Sequence, residues 1–324
     1  MSIILYNELE LRRNISGFNF PGKLDQESSI KILERLKSIL EPQGFIDYRT
    51  KNMTSLDKLK FYEEGFVTAE IFRNEGKSAI FKRNDDLIRV NGEDHIEIYR
   101  YTKGQDLKGP YEKINSLDDF LDSKLDYAFR EDFGYLTSNP NICGNAFIAK
   151  VYMHLPATGY FGDMSLVSTL NRLGYKVSAL GSPERNNRGV IYKISLDRTI
   201  GIGEEEYLDK ISNIVREVAD MEEQNRRKLY LDKIIDLEDL VNRAYGILRN
   251  CRVIKEDEMI YRMSDLFLGI ELSILKPKVN LDLMDSIKRL KNGYLQVERG
   301  ALLVEKSRDI LRANKVRKMM KEVF

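Results

Sequence analysis

Ser78–Tyr101 reads SAIFKRNDDLIRVNGEDHIEIYRY. Three short apolar runs stand in it, Ala79-Ile80-Phe81, Leu87-Ile88-Arg89-Val90 and Ile96-Glu97-Ile98, separated by Asn84-Asp85-Asp86 and Asn91-Gly92. β-Branched and aromatic side chains suit a pleated, half-buried surface, while Asn, Asp and Gly supply turns, so the spacing predicts short strands. Upstream, Ile30, Leu33, Leu36 and Ile39/Leu40 recur at helical spacing and predict an amphipathic helix ending near Pro42 and Gly44; residues 1–24 read as short and mixed. Downstream, helix is expected from Leu117 to Phe129, a loop from Thr137 to Asn145, and strand from Ala146 to His154. A helix around Met164–Leu173 and a strand pair at Tyr175–Leu180 and Val190–Leu196, joined by a polar loop, follow. Beyond Gly203 the texture is helical: Leu208, Ile211, Ile214/Val215 and Val218 form one stripe, Ile234/Ile235, Leu237 and Leu240/Val241 the next, and 303–322 a last helix. No alternation of strand and helix demands a parallel sheet. The fold class is α+β, 1–226, followed by an all-helical part, 227–324, with the charged segment Gln224–Leu231 at the junction.

Composition narrows the function classes. The chain has 324 residues, with 52 Lys+Arg against 51 Asp+Glu, and that balance speaks against a general nucleic-acid binder. An apolar share of 42% supports a real core. No apolar run is long enough to cross a bilayer and the first residues lack signal-peptide order, so a cytoplasmic protein with no membrane partner is expected. Cys143, Cys251, His95 and His154 are too few for a Cys/His zinc site or a disulfide framework, and no metal site is expected. Gly201-Ile202-Gly203 reads as a helix start, and the basic end (Lys315, Arg317, Lys318, Lys321) as a solvated face.

Several blocks together resemble the ATP:guanido phosphotransferase (phosphagen kinase) family, in its McsB-like protein-arginine kinase branch. Leu117–Pro140, LDDFLDSKLDYAFREDFGYLTSNP, resembles LDDxLxxKLDYAFxxxFGYLTxCP. Asn91–Ile98 (NGEDHIEI), Met153–Pro156 (MHLP), and Ala244–Ile254 with Ser264–Lys276 follow in the family's order. The resemblance implies a small N-terminal helical part, a guanido-kinase-like antiparallel sheet flanked by helices, and an all-helical C-terminal domain that recognises phosphoarginine.

Phosphoryl transfer to a guanidinium is mostly positioning and charge stabilisation, which the family is known to supply with an arginine cage, Mg²⁺ and a carboxylate that holds the guanidinium. Against the family's S-R-x-R-L-A-R-N stands Asn7-Glu8-Leu9-Glu10-Leu11-Arg12-Arg13-Asn14, so two nucleotide-binding arginines fall on Glu8 and Glu10. The EKHL histidine falls on Gly65 and the arginine ending NEEDHxR on Glu97. In CPTNxGTGxR the cysteine becomes Asn139, the second glycine Ala146 and the arginine Ile148; Cys143 is read as incidental. The RGxYGE arginine falls on Ser178, and a one-residue gap brings Glu184 to that loop's glutamate. A charge pair near 4 Å is worth roughly 4 kcal/mol at an effective dielectric of about 20. Reversing three such positions costs on the order of 10 kcal/mol before relaxation, and micromolar ATP affinity is only about 8 kcal/mol. Glu93, at the family's catalytic glutamate, survives with Asp94 and His95; it reads either as a retained guanidinium anchor or as part of a packed turn.

Near the end, Arg308-Asp309-Ile310-Leu311-Arg312-Ala313 matches the family's phosphoarginine-binding motif RDxxRA. Arg308 and Arg312 are i and i+4 and share a helix face, where paired guanidinium groups can fork a phosphate while Asp309 meets the ligand's guanidinium and Ala313 leaves the approach open. Arg312→Glu is expected to abolish binding without unfolding the chain. The resemblance therefore implies a pseudokinase that needs no nucleotide cofactor, binds arginine-phosphorylated proteins or pairs with an active protein-arginine kinase, and acts in bacterial protein quality control or stress regulation. The alternative is an active kinase using ATP and Mg²⁺ through a rearranged site, with Glu93 as base and Glu184 as second carboxylate; a third reading is a structural partner subunit. A homodimer is implied by resemblance alone.

Overall fold

The computed structural model describes residues 3–65, 67–162, 164–180, 190–196 and 198–324. Its centre is an eight-stranded antiparallel sheet built from β1 (Ile4–Arg13), β2 (Ile46–Arg49), β3 (Ala79–Arg83), β4 (Asp86–Val90), β5 (Ile96–Thr102), β8 (Phe147–His154), β9 (Lys176–Ala179) and β10 (Ile191–Ser195). The order across the sheet is β2-β3-β4-β5-β1-β8-β10-β9. A small hairpin of β6 (Phe129–Arg130) and β7 (Gly134–Tyr135) stands apart. The three strands expected from Ser78–Tyr101 are β3, β4 and β5, and the positive φ of Asn84 and Asn91 makes the turns.

The first residues are neither mixed nor a small helical part. They form β1, which pairs with β5 and β8 near the middle of the sheet. Its alternation sends Leu9 and Leu11 to one face and Glu8, Glu10 and Arg12 to the other. The Leu9 face is dry. Ile96 and Ile98 of β5 and Phe147, Ala149 and Val151 of β8 pack there against α1 (Gln26–Leu40), α4 (Lys108–Asp122) and α7 (Glu204–Asp232). Each fully buried Leu or Ile contributes roughly 1.5–3 kcal/mol to holding the helices there. Helix α1 is capped by Asp25, whose carboxylate accepts from Ser28 N.

Helix α4 begins earlier than expected, at Lys108, because Asp106 accepts from the amides of Lys108 and Gly109. It ends at Asp122, and Tyr127 bridges instead to Ile15. Shorter helices α2 (Ser55–Glu63), α3 (Ala69–Arg73), α5 (Pro156–Phe161) and α6 (Met164–Arg172) edge the body. Helix α7 runs unbroken through 226/227 and breaks at Lys233. The tail comprises α8 (Ile234–Asn250), α9 (Glu256–Glu271), α10 (Leu283–Leu290), α11 (Asn292–Arg299) and α12 (Glu305–Val323). Its core of Leu248, Met263, Leu266, Ile287 and Val316 also takes in Leu5, Val190 and Ile191 from the sheet. No helix among the described residues is long and apolar enough to cross a membrane.

Candidate functional site

The charged face of the sheet carries the positions at which the family pattern has nucleotide-binding arginines. Register places Glu8 opposite Tyr101 and Lys150, Glu10 opposite Tyr99 and Ile148, and Arg12 opposite Glu97. Glu8, Glu10, Glu97 and Ile148 are thus brought together, and all four are buried. The three carboxylates are met by cations. Lys150 Nζ lies 2.6 Å from Glu8 Oε1 and 2.8 Å from Glu10 Oε2. Arg12 Nε lies 2.5 Å from Glu10 Oε1, and Arg89 Nε 2.8 Å from Glu97 Oε2. The Tyr99 hydroxyl sits between Glu10 and Glu97, at 2.7 and 3.0 Å, with the Arg89 guanidinium 4.0 Å over its ring.

Burial alone would push the Glu10 carboxyl up, but Lys150, Arg12 and Arg89 outweigh it and hold the group well below the usual carboxylate range. Burial prevails at Glu97, whose carboxyl is raised despite Arg89 and Arg12. Lys150 is pulled down by burial yet ends raised, because Glu10 and Glu8 favour its charged form. Sequence reasoning missed Arg12, Arg89 and Lys150. Only Arg12 left a signal, standing where the family pattern has alanine.

The Asn91–His95 turn joins this face to a cleft. Glu97 Oε1 accepts from the amides of Glu93 (2.6 Å) and Asp94 (3.2 Å). A Cβ on Gly92 would come within 2.5 Å of that oxygen, so a side chain there would require the Glu97 carboxylate to shift. Asp94 Oδ1 accepts from Asn14 Nδ2 and Ser138 N. His95 is buried, with Nδ1 accepting from Ile15 N and Nε2 donating to Asn19 O, and burial pulls its pKa down to about 4. Asp94 and His95 therefore hold the turn. Glu93 differs: its side chain is 44% exposed, it pairs with Arg12, and it lines a cleft of about 930 Å³ with Phe18, Phe20, Lys23, Arg73 and Ser138.

The remaining positions lie further out. Gly65 follows α2, and its carbonyl accepts from the Tyr101 hydroxyl at 3.3 Å. Ser178 sits on the edge strand β9, opposite Lys193, and Glu184 lies outside the described residues. Ala146, at a family glycine, keeps a left-handed backbone with φ 51°, a conformation costing a side chain on the order of 1 kcal/mol. The LDDF and FGYL blocks hold the body together: Asp118 binds Arg13 Nε at 3.0 Å, and the Arg13 guanidinium stacks 3.6 Å from the Tyr135 ring.

Two family models cover most of the chain. ATP:guanido phosphotransferase, C-terminal catalytic domain, matches residues 29–225, and protein-arginine kinase McsB C-terminal domain matches 234–323. The chain belongs to the McsB-like protein-arginine kinases of the ATP:guanido phosphotransferase family. It is 31% identical to a protein-arginine kinase of Caldanaerobacter subterraneus over 97% of this chain and 96% of that one. It is 30% identical to that of Bacillus pumilus, over 98% and 90%. Among solved structures, the duplicated taurocyamine kinase from Schistosoma mansoni superposes with a TM-score of 0.63 at 18% identity, over 77% of this chain and 39% of that one. Lombricine kinase gives 0.58 at 17%, over 68% and 66%; these likenesses bear on the fold alone.

The family's phosphoryl transfer uses ATP with Mg²⁺, and the charged face suits such a group poorly. The cations beside the substituted positions, Arg12, Arg89 and Lys150, are each already engaged by a carboxylate, and Glu8 and Glu10 direct their oxygens to Lys150 rather than outward. These residues therefore support no step through a nucleotide.

In the McsB-like tail, α12 carries the RDxxRA motif, and its two arginines converge on Asn292 Oδ1. Their burial differs. Arg308 is half-buried and also donates to Leu303 O at 2.7 Å. Arg312 is fully buried: it donates to Leu290 O and Ile254 O, each at 2.8 Å, and to Asp309 Oδ1 at 2.6 Å. Ala313 is buried in the tail core. Arg312 therefore ties α12 to the loop before α9 and to the end of α10, and its burial argues against the expectation that replacement by glutamate spares the fold. Sequence spacing places both arginines on one face but does not say that the face turns inward.

Proposed function

We propose that this McsB-like chain is a pseudokinase whose tail reads phosphoarginine. Its partners would be arginine-phosphorylated proteins, or an active protein-arginine kinase, in cytoplasmic bacterial protein quality control or stress regulation. The observation that carries the first half is the self-neutralised network of Glu8, Glu10 and Glu97 with Lys150, Arg12 and Arg89, in which every cation beside the substituted positions is already engaged by a carboxylate. Entry of a nucleotide would require breaking buried pairs, each worth several kcal/mol to disrupt, against about 8 kcal/mol for micromolar binding. The second half is supported by Arg308, whose described partners, Asn292 Oδ1 and Leu303 O, are both neutral, so its charge is available to an anion. Asp309, held by Arg312, would be the carboxylate that meets the ligand's guanidinium.

A melting titration with MgATP and, separately, with phosphoarginine tests both halves. Phosphoarginine at about a hundredfold excess over its Kd should stabilise the chain by about 2.7 kcal/mol, and MgATP should leave the melting temperature unchanged. Stabilisation by MgATP together with phosphate transfer to protein arginine would establish the active-kinase reading, with Glu93 as base. A response to neither ligand would leave a structural role.

A further inference from the structure

Arg12 reaches beyond the carboxylates that stand at the nucleotide-arginine positions. Lys150 and Arg89 suffice to meet Glu8, Glu10 and Glu97, yet Arg12 leans away along β1 to pair with Glu93 as well as Glu10. Glu93 is the carboxylate at the family's guanidinium-holding position, and what lies against it here is a guanidinium from the same chain. We propose that Arg12 is a built-in occupant of the arginine side-chain receptor formed by Glu10, Glu93 and Asp94, so that the receptor is closed in cis to arginine residues of other proteins. This rests on the reading of Glu93 as the retained guanidinium anchor.

Three further features fit. Asp94 Oδ2 is buried and has no hydrogen-bond partner among the described residues; it lies 3.6 Å from Arg12 Nη1, beyond hydrogen-bond reach. The receptor thus keeps an acceptor that a better-seated guanidinium would satisfy, and Arg12 fills it imperfectly because its backbone is fixed in β1. Glu93 opens on the cleft of about 930 Å³ lined by Phe18, Phe20, Lys23, Arg73 and Ser138, from which another chain's arginine would have to approach. Arg12 itself is a poor phosphate acceptor: burial would lower its pKa, but Glu10, Glu97 and Glu93 together raise it, so the guanidinium holds its proton and offers no lone pair.

Isothermal titration with arginine ethyl ester tests the proposal. The native chain should show no binding. Arg12→Ala should bind at least tenfold more tightly than the native chain, and Arg12→Ala combined with Glu93→Gln should lose that gain. A folded Arg12→Ala chain that takes up no arginine overturns the proposal, as does a gain that survives Glu93→Gln. Should Arg12→Ala fail to fold, Glu93→Gln alone decides, since the side chain is half-exposed: the Arg12 Nη1–H resonance, whose proton goes to Glu93, should shift and exchange faster with solvent. An unchanged resonance means that Glu93 does not hold Arg12, and the proposal fails. MgATP titration of the native chain is independent of these readouts, so nucleotide binding would overturn the pseudokinase reading without touching this one.

Discussion

Arg12 in β1 and Arg308 in α12 both sit in arginine-bearing motifs, but their company differs. Around Arg12, carboxylates outnumber cations: Glu8, Glu10, Glu93, Asp94 and Glu97 face Arg12, Arg89 and Lys150. Around Arg308 the described acceptors are a side-chain amide and a backbone carbonyl, which orient the guanidinium without cancelling its charge. A guanidinium positioned by neutral groups keeps its charge uncompensated for an anion. Beside Glu8, Glu10 and Glu97 the cations are matched by carboxylates, whereas Arg308 is oriented by neutral groups.

The contrast can be broken most forcefully at Arg312. Arg312→Glu removes the buried donors that Leu290 O, Ile254 O and Asp309 rely on, and sets a carboxylate beside Asp309. A loss of about 3–5 kcal/mol in urea unfolding is expected; a change below about 1 kcal/mol would mean that this arginine faces ligand rather than structure. In the body, Lys150→Met strips Glu8 and Glu10 of their shared cation, and about 3 kcal/mol should be lost by the same measurement. A near-neutral result would show those carboxylates able to turn outward.

Protonation gives a gentler probe. The folded-state pKa of His95 is depressed to about 4 from an ordinary value near 6.5, so the folded chain binds this proton less well than the unfolded chain does. The stability His95 contributes is complete above about pH 6.5 and is lost as the pH falls towards 4, by at most about 3 kcal/mol. His95→Gln should flatten that part of the stability curve, followed by urea midpoints between about pH 7 and 4; an unaltered slope would place the titration elsewhere. Last, Arg308→Ala should shift stability by under about 1 kcal/mol while weakening phosphoarginine binding at least tenfold, about 1.4 kcal/mol by titration calorimetry. Equal affinity in the variant would remove Arg308 from the pocket.

The meander β3–β5 was legible because its turns are chemically marked, by Asn84 and by Asn91-Gly92, and its strands are apolar. β1 was not, although it lies near the sheet centre. Its polar side carries Glu8, Glu10 and Arg12, which are tolerable there only because Lys150 and Arg89 arrive from strands far away in sequence. Charge in a single stretch looks like solvent exposure, and pairing across strands is invisible to it. The substitutions at Glu8, Glu10 and Glu97 could be read by position, but that their charges are satisfied within the sheet required the third dimension. On α12 the spacing of Arg308 and Arg312 placed them on one face, while the inward turn of that face came from α10 and α11, which leave only polar acceptors for the guanidinium.

Leu5, Val190 and Ile191 of the sheet belong to the same apolar cluster as the tail's Leu266, Ile287 and Val316, and α7 runs from one part into the other without a break. The tail expressed by itself would present that cluster to water with three of its members missing, and the full chain should melt in one calorimetric peak rather than two.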